Sequence, residues 1–248
     1  MIRSIRRKLT KQIISYIISS LTPDKFKIYS IRGFKMYLNP HESFMMKMRL
    51  LRAYERDKFN FIKNNLKRNG IFIDVGANIG DFSLYAAKLA REGKVLSFEP
   101  SSDNFKMLKK SIKANNYNNI FPHQVAIGLN DDKIKLFLGN QSGLHSLIEN
   151  NPNNTGAYEL VRIKPLDYFF KDVTNVRIIK IDVEGAEIDV LRGMNRILNT
   201  YKPILLIDIH TKLGVTITKV SNILQKYGYN IYETTSGKST NHIEIIAS

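Results

Sequence analysis

Residues 71–80 read Ile-Phe-Ile-Asp-Val-Gly-Ala-Asn-Ile-Gly, and Glu99 closes the next apolar run, Lys-Val-Leu-Ser-Phe. The apolar residues around Asp74 make a short strand that stops at Gly76. Gly76 and Gly80 let the backbone turn tightly and approach a ligand before a helix begins near Asp81. A carboxylate about 20 residues beyond such a turn, at the tip of the second strand, grips ribose hydroxyls in α/β nucleotide-binding folds. Glu99 occupies that place.

Asn78 discriminates between nucleotides. A pyrophosphate loop of the NAD type needs a glycine at the middle position of its fingerprint, where Asn78 stands. S-adenosylmethionine carries no phosphate and has a cationic sulfonium beside an amino acid moiety, so Asp74 and a small-residue turn suit it better. Further along, Asp182 and Glu184 follow the apolar run Val176–Ile181, and Asp208 and His210 end the run Pro203–Ile209. In an open parallel sheet the ligand lies outside the carboxyl ends of the strands. That edge would gather Asp74, the Gly76–Gly80 turn, Glu99, the stretch from Ala126 to Gly128, Asp182, Glu184, Asp208 and His210.

The elements that must position these residues are legible as alternating patterns. Ile2, Ile5, Leu9, Ile13, Ile17 and Leu21 recur at helical spacing beside Arg3, Arg6, Arg7, Lys8 and Lys11, an amphipathic basic helix suited to an anionic membrane surface or to packing on its own domain. Lys27–Ile31 and Phe34–Leu38 read as a hairpin around Arg32 and Gly33. One helix is expected from Phe44 to about Lys67, carrying Tyr54 and Glu55, and another after a Ser101 cap to about Asn115. Ile120–Ile127 reads as a third strand, and Lys133–Leu138 and Tyr158–Ile163 as strand candidates. The Asn-, Gly-, Ser- and Pro-rich stretch 140–155 is the expected mobile loop. A helix from Ala186 to about Asn199, another over Val215–Lys226, and a terminal hairpin of Asn230–Glu233 and His242–Ile246 complete a doubly wound α/β sheet.

Composition bounds the remainder. At 248 residues and 43% hydrophobic content, the chain holds one substantial domain, residues 50–248, with an N-terminal extension of helix and hairpin, residues 1–49. No cysteine is present, which removes disulfides, thiolate metal sites and a cysteine nucleophile. The histidines His41, His123, His145, His210 and His242 show no zinc-type spacing, so no metal site is expected. The formal charge of +16 points to an anionic partner. The N-terminal segment is too basic and too interrupted for a membrane span or a cleaved leader. A cytoplasmic protein, peripheral on the membrane, is the expectation.

The segment Val176–Leu198, together with the 71–80 turn, Tyr54-Glu55 and Pro165-Leu166-Asp167, closely resembles the FkbM family of S-adenosylmethionine-dependent methyltransferases. The resemblance runs over roughly residues 50–212. It implies a class I methyltransferase (Rossmann-like) sheet of about seven strands with the last antiparallel, and methyl transfer to a hydroxyl of a sugar, lipid-linked glycan or secondary metabolite. It assigns Asp74, Gly76, Ala77, Asn78 and Gly80 to the cofactor loop and Glu99 with Pro100 to the ribose site. Glu55, Ala126 and Asp182 join them as cofactor-contacting positions. Asp182, Glu184 and His210 are the candidate catalytic groups. His210 is favoured as base for its ordinary pKa of about 6.5, and His145 is a fourth candidate if the 140–155 loop closes.

Three rivals remain open. A nucleic-acid methyltransferase would use the basic surface, but no Asn-Pro-Pro-Tyr-like motif is present, so nucleic acid is not the expected partner. A scaffold that kept the fold and lost turnover would not need Asp74, Glu99 and Asp182. An NAD-dependent oxidoreductase would need a glycine at Asn78.

Overall fold

The computed structural model describes residues 2–141, 143–170, 175–234 and 243–248. Helix α1 (Ile2–Leu21) leads into the hairpin β1 (Lys27–Ile31) and β2 (Phe34–Leu38), then α2 (Phe44–Leu50) and α3 (Arg56–Asn65). The nucleotide-type unit follows as β3 (Ile71–Val75), α4 (Asp81–Leu89), β4 (Lys94–Phe98), α5 (Ser102–Asn115) and β5 (Ile120–His123). Three strands come next: β6 (Ala126–Ile127), β7 (Asp132–Gly139) and β8 (Asn154–Lys164). The chain ends with β9 (Val176–Ile181), α6 (Glu187–Arg192), α7 (Asn195–Thr200), β10 (Ile204–Ile209), α8 (Ile217–Gln225), β11 (Ile231–Glu233) and β12 (Ile243–Ala247).

Seven of these strands form one sheet in the order β11-β12-β10-β9-β3-β4-β5, with β12 antiparallel to both of its neighbours and the described β3, β4, β5, β9 and β10 pairings parallel. The expected class I sheet is borne out. Strand order reverses between β3 and β9, so the crevice for a ligand opens at their carboxyl ends. Strands β6, β8 and β7 make a separate small sheet inserted between β5 and β9. The turn expected between β11 and β12, with His242, lies outside the described residues.

Strand periodicity decides which residues meet which helices. Ile71, Ile73, Val75, Ile179, Ile181, Leu205 and Ile207 pack toward α6, α7 and α8. Phe72, Ile178 and Leu206 face the other layer, where Phe59 and Ile62 of α3, Phe82 and Ala86 of α4, Met46 of α2, and Phe34, Met36 and Leu38 of the hairpin join one core. On this second face each of five strands carries a polar residue near its carboxyl end or its neighbour's. Ser97, Asp74 and Lys180 stand side by side across β4, β3 and β9, and Asp208 pairs with Glu244 across β10 and β12.

Charge balance holds this row together. The buried Lys180 ammonium lies 3.5 Å from Asp74 and 3.3 Å from Asp182, and donates to the Gly76 carbonyl at 3.1 Å. Lys58 of α3, also buried, reaches Asp208 at 2.6 Å, Glu55 at 3.0 Å and Glu244 at 3.4 Å. Arg49 of α2 pairs with Asp81 at 2.7 Å and lies over the Tyr54 ring. Lys180 pins two strands together, Lys58 pins α3 to the sheet edge, and Arg49 pins α2 to the start of α4.

Three elements differ from the sequence-based expectation. The 44–67 helix is two helices broken by a turn in which Arg52 and Glu55 have positive φ. The 186–199 helix is broken at Gly193, whose added Cβ would sit 2.0 Å from the Gly128 carbonyl, so close packing against the β6 end interrupts it. Ile120–Ile127 splits into β5 and β6, which belong to different sheets. Ser101 sits at the N-cap of α5, but its side chain makes no cap hydrogen bond.

Two outcomes follow from this packing. A Cβ at Gly76, whose φ is +77°, would come 1.8 Å from the Asp182 carbonyl oxygen. Gly76→Ala is therefore expected to cost more than about 2 kcal/mol, read as a fall in Tm of roughly 4–8 °C by thermal denaturation. Lys58→Met strands three carboxylates around the former ammonium, and an urea titration is expected to show about 3–5 kcal/mol of lost stability.

Candidate active site

A cavity of about 490 Å³ opens at the switch point between β3 and β9. That is within the size range of small-molecule and cofactor sites. One end is apolar, walled by Phe98, Val125, Ile127 and Leu136, with Glu99 and Pro100 at its edge; the other is acidic, with Asp182, Glu184, Asp208 and Glu55. The structure brings most of the expected residues to this wall: Glu55, Gly76, Ala77, Asn78, Glu99, Pro100, Ala126, Asp182, Glu184 and His210.

Asp74 and Gly80 are corrections. Asp74 is fully buried behind the wall, on the face that carries α4. Its Oδ2 accepts from Ser83 Oγ at 2.6 Å, Ser83 accepts from Ser97 Oγ at 2.7 Å, and its Oδ1 has only the Lys180 ammonium nearby. Asp74 thus anchors the loop from behind the cavity wall. Gly80 also lies off the wall, and its Cβ would strike Leu108 at 2.5 Å. The two loop glycines are demanded by close approach of protein to protein, and only Gly76 also lines the cavity.

Glu99 sits at the tip of β4 as the spacing requires. It accepts from the Asn78 amide at 2.7 Å and the Ser101 amide at 2.9 Å, so the loop and the start of α5 are both tied to its carboxylate. Burial nevertheless outweighs those bonds and raises its pKa to about 7. Asn78 itself is in the left-handed region at φ 51°, with its Oδ1 accepting from the Ile79 amide.

The acidic end is built on a strained turn. Asp182 is held by its amide to Val75 O at 3.0 Å, and Glu184 is forced to φ 50° just before Gly185 at φ 103°. Positive φ at a residue such as Glu costs of order 1–3 kcal/mol and persists where surrounding contacts over-determine it. Those contacts are present: Ser146 Oγ donates to the Glu184 carbonyl at 2.5 Å, and a Cβ on Gly185 would crowd Leu213 and Ile148. The turn aims Asp182 and Glu184 at His210, whose Nε2 lies 3.8 Å and 3.3 Å from them. The other ring nitrogen, Nδ1, lies 2.6 Å from Glu187, a carboxylate with no solvent exposure.

This geometry weighs against His210 as a base. Burial alone would lower its pKa, but the carboxylates of Glu184, Glu187 and Asp182 outweigh burial and raise it to about 11. With no cation beside it, His210 keeps its proton at neutral pH and both ring nitrogens act as donors to these carboxylates. Burial would also raise Asp182, yet Lys180 outweighs it and holds that carboxyl below its usual range. Glu184 is raised, by burial first, with His210 opposing. His145 is no base in this arrangement either, because its Nδ1 accepts from the Gly139 amide at 3.0 Å and the ring proton is left on Nε2.

The 140–155 segment, expected to be mobile, is tied across the cavity. Gln141, Gly143–Leu147 and Asn151–Asn153 line it, Phe137 bridges Ser146, and Ser146 is anchored to Glu184. Sequence reasoning missed Lys58, Lys180, Glu187 and Glu244. For the two on strands, Lys180 and Glu244, the available signal was a charged residue inside an otherwise apolar strand, as at Lys180 in Val-Arg-Ile-Ile-Lys-Ile. Likewise, no local spacing announced that Asp182, Glu184 and His210 bring ligand-type atoms within 4.8 Å of one another.

Known proteins share the family and the fold. A family model described as the methyltransferase FkbM domain matches residues 74–231. Methyltransferase 1 of Beauveria bassiana is 30% identical over 147 residues, covering 51% of this chain and 59% of the relative. Methyltransferase sdnD of Sordaria araneosa is 25% identical over 162 residues, covering 53% and 62%. This chain therefore spans about 60% of the length of those curated relatives. Among solved structures, methyltransferase FkbM from Methylobacillus flagellatus superposes with a TM-score of 0.57 at 16% identity, covering 84% of this chain and 53% of that one. With the family model covering well over half of its residues, the chain belongs to the FkbM methyltransferase family.

Proposed function

We propose that the chain transfers the methyl group of S-adenosylmethionine to a hydroxyl oxygen of a glycan, glycolipid or secondary metabolite. The observation that carries this reading is one cavity with a buried carboxylate, Glu99, beside an apolar wall at one end and an acidic turn, Asp182–Glu184, at the other. Glu99 suits ribose hydroxyls, Phe98, Val125, Ile127 and Leu136 suit an adenine ring, and the acidic end suits the cationic part of the cofactor. S-adenosylmethionine supplies an electrophilic methyl on a sulfonium. As the acceptor oxygen formed its bond to that carbon, the C–S bond would break with its electrons going to sulfur, and the hydroxyl proton would have to leave. Glu184, its pKa raised by burial and its carboxylate on the cavity wall, is the candidate to take it while no cation is bound beside it. Holding the reacting atoms in line supplies most of the rest.

The acceptor is a reading from the wall. Gln141, Asn151 and Asn153 offer amide donors and acceptors of the kind that recognise hydroxyl groups. The same wall disfavours a polyanion despite the +16 overall charge, because its acids outnumber its cations. Alkali-stable incorporation of labelled methyl into a glycan or polyhydroxylated acceptor is expected. Label recovered only as a base-labile ester would oppose ether formation.

Glu99 supplies a sharper outcome. Ribose hydroxyls donate to the ionised carboxylate, whereas the buried group holds its proton up to about pH 7. Binding of S-adenosylmethionine is therefore expected to strengthen as pH rises, weakening about tenfold per unit below pH 7 and levelling above pH 8. Glu99→Gln should bind weakly with no such slope in calorimetric titration. An unchanged affinity from pH 6 to 8 in the wild type would remove Glu99 from the ribose site.

Helix α1 adds a surface role to the proposal. Ile18 packs inward and Lys47 donates to Ser15 at 2.6 Å, yet Ile13, Tyr16, Ile17 and Leu21 are exposed, an apolar strip beside basic sequence. No helix among the described residues is long and apolar enough to cross a membrane. The side chains of Arg3, Arg6, Arg7 and Lys8 lie outside the described part. Deleting residues 1–21 is expected to lower sedimentation with anionic vesicles, and equal sedimentation would remove the membrane from the account.

A further inference from the structure

We propose that Asp182, Glu184 and His210 form a site for one divalent cation of the Mg²⁺ or Mn²⁺ class on the cavity wall. The inference deepens the methyltransferase reading and rests on it for what the ion does there.

His210 is oriented from behind the cavity wall. Its Nδ1 is fixed on Glu187, which is wholly buried and also accepts from the Gly185 amide at 3.2 Å. A carboxylate holding one ring nitrogen of a histidine so that the other faces an ion is the usual outer support of a metal-binding histidine. Here the other nitrogen faces two carboxylate oxygens, Glu184 Oε1 at 3.3 Å and Asp182 Oδ1 at 3.8 Å. Three ligand-type atoms thus lie within 4.8 Å of one another on the cavity wall. Ligand atoms on adjacent positions around an octahedral ion at ~2.1 Å are ~3.0 Å apart, and the His210–Glu184 and His210–Asp182 separations lie within about an ångström of that.

The surroundings favour the ion. One oxygen of each acid is enough for ligation, and the second oxygen of Asp182 is already occupied by Lys180. The strained backbone at Glu184 presents its side chain to this point. Across the site and its supporting row, seven carboxylates (Glu55, Asp74, Asp182, Glu184, Glu187, Asp208 and Glu244) face two ammonium groups, Lys58 and Lys180. Two oxygens and one nitrogen suit hard to borderline cations, and three of six coordination positions would stay open to the cavity. An acceptor whose hydroxyl neighbours a second oxygen, a vicinal diol or a hydroxy acid, would occupy them.

The test uses the full chain treated with chelator and then titrated with Mn²⁺ alone, following the resonance of free Mn²⁺. One saturable equivalent is expected. Glu184→Gln and His210→Ala should weaken it at least tenfold, and Glu187→Gln roughly 10–100-fold, in samples whose thermal melts show a folded protein. If His210→Ala fails to fold, Glu184→Gln and Asp182→Asn carry the test. Absence of saturable uptake by folded wild type, or equal uptake by Glu184→Gln and Asp182→Asn, overturns the site and leaves a proton in the ion's place. A parallel titration of the chelated protein with S-adenosylmethionine separates the two readings. Cofactor binding without Mn²⁺ uptake removes the ion alone, and Mn²⁺ uptake without cofactor binding removes the methyltransferase reading alone.

Discussion

The buried ammonium of Lys180 is the interaction on which the rest of the site depends. It touches Asp74 on β3, the Gly76 carbonyl at the turn that leaves β3, and Asp182 at the end of β9, so it spans the line along which strand order reverses. Desolvating a charge of this kind is costly unless well-placed opposite charges compensate. Asp74 and Asp182 compensate it, and in return their positions are fixed from within the sheet. The crevice that a parallel sheet leaves at a switch point thereby becomes a cavity with a set charge distribution.

Two kinds of local cost are tolerated around that pin. Glu55, Asn78 and Glu184 all line the cavity with positive φ, a conformation that non-glycine residues adopt at an energetic cost. Asn78 and Glu184 are held by partners outside their own turns, Asn78 by Glu99 and Glu184 by Ser146 and His210, while Glu55 is held by Lys58 in the first turn of the helix it caps. The second cost is acidic crowding in a chain whose net charge is strongly positive. A wall of carboxylates inside a basic protein is a local demand for cations, which a sulfonium cofactor and a divalent ion both meet.

Much of this was legible in the residues. The strands β3, β4, β9 and β10 are short apolar runs buried on both faces, and such runs read plainly because no helix-period pattern competes with them. Glu99 was placed by its spacing from the glycine turn. What failed has a common physical cause, namely contacts between residues distant in sequence. Lys58 and Asp208 are 150 positions apart, and neither carries a local mark of the other. Asp74 was misread because strand parity puts it on one face, while only the tertiary fold says that α4 covers that face. His210 was misread because an ordinary histidine pKa says nothing of three carboxylates arriving from another turn. The broken helices at residues 51–55 and at Gly193 reflect strain and close packing that propensity does not record.

The most direct test of the account is calorimetric titration of the wild type and Lys180→Met with S-adenosylmethionine, with circular dichroism showing that both retain the sheet. If the Lys180 pin shapes the cofactor cavity, the wild type binds one equivalent saturably and Lys180→Met binds at least tenfold more weakly. Equal affinity in the two folded proteins, or no saturable binding by the wild type, would contradict it.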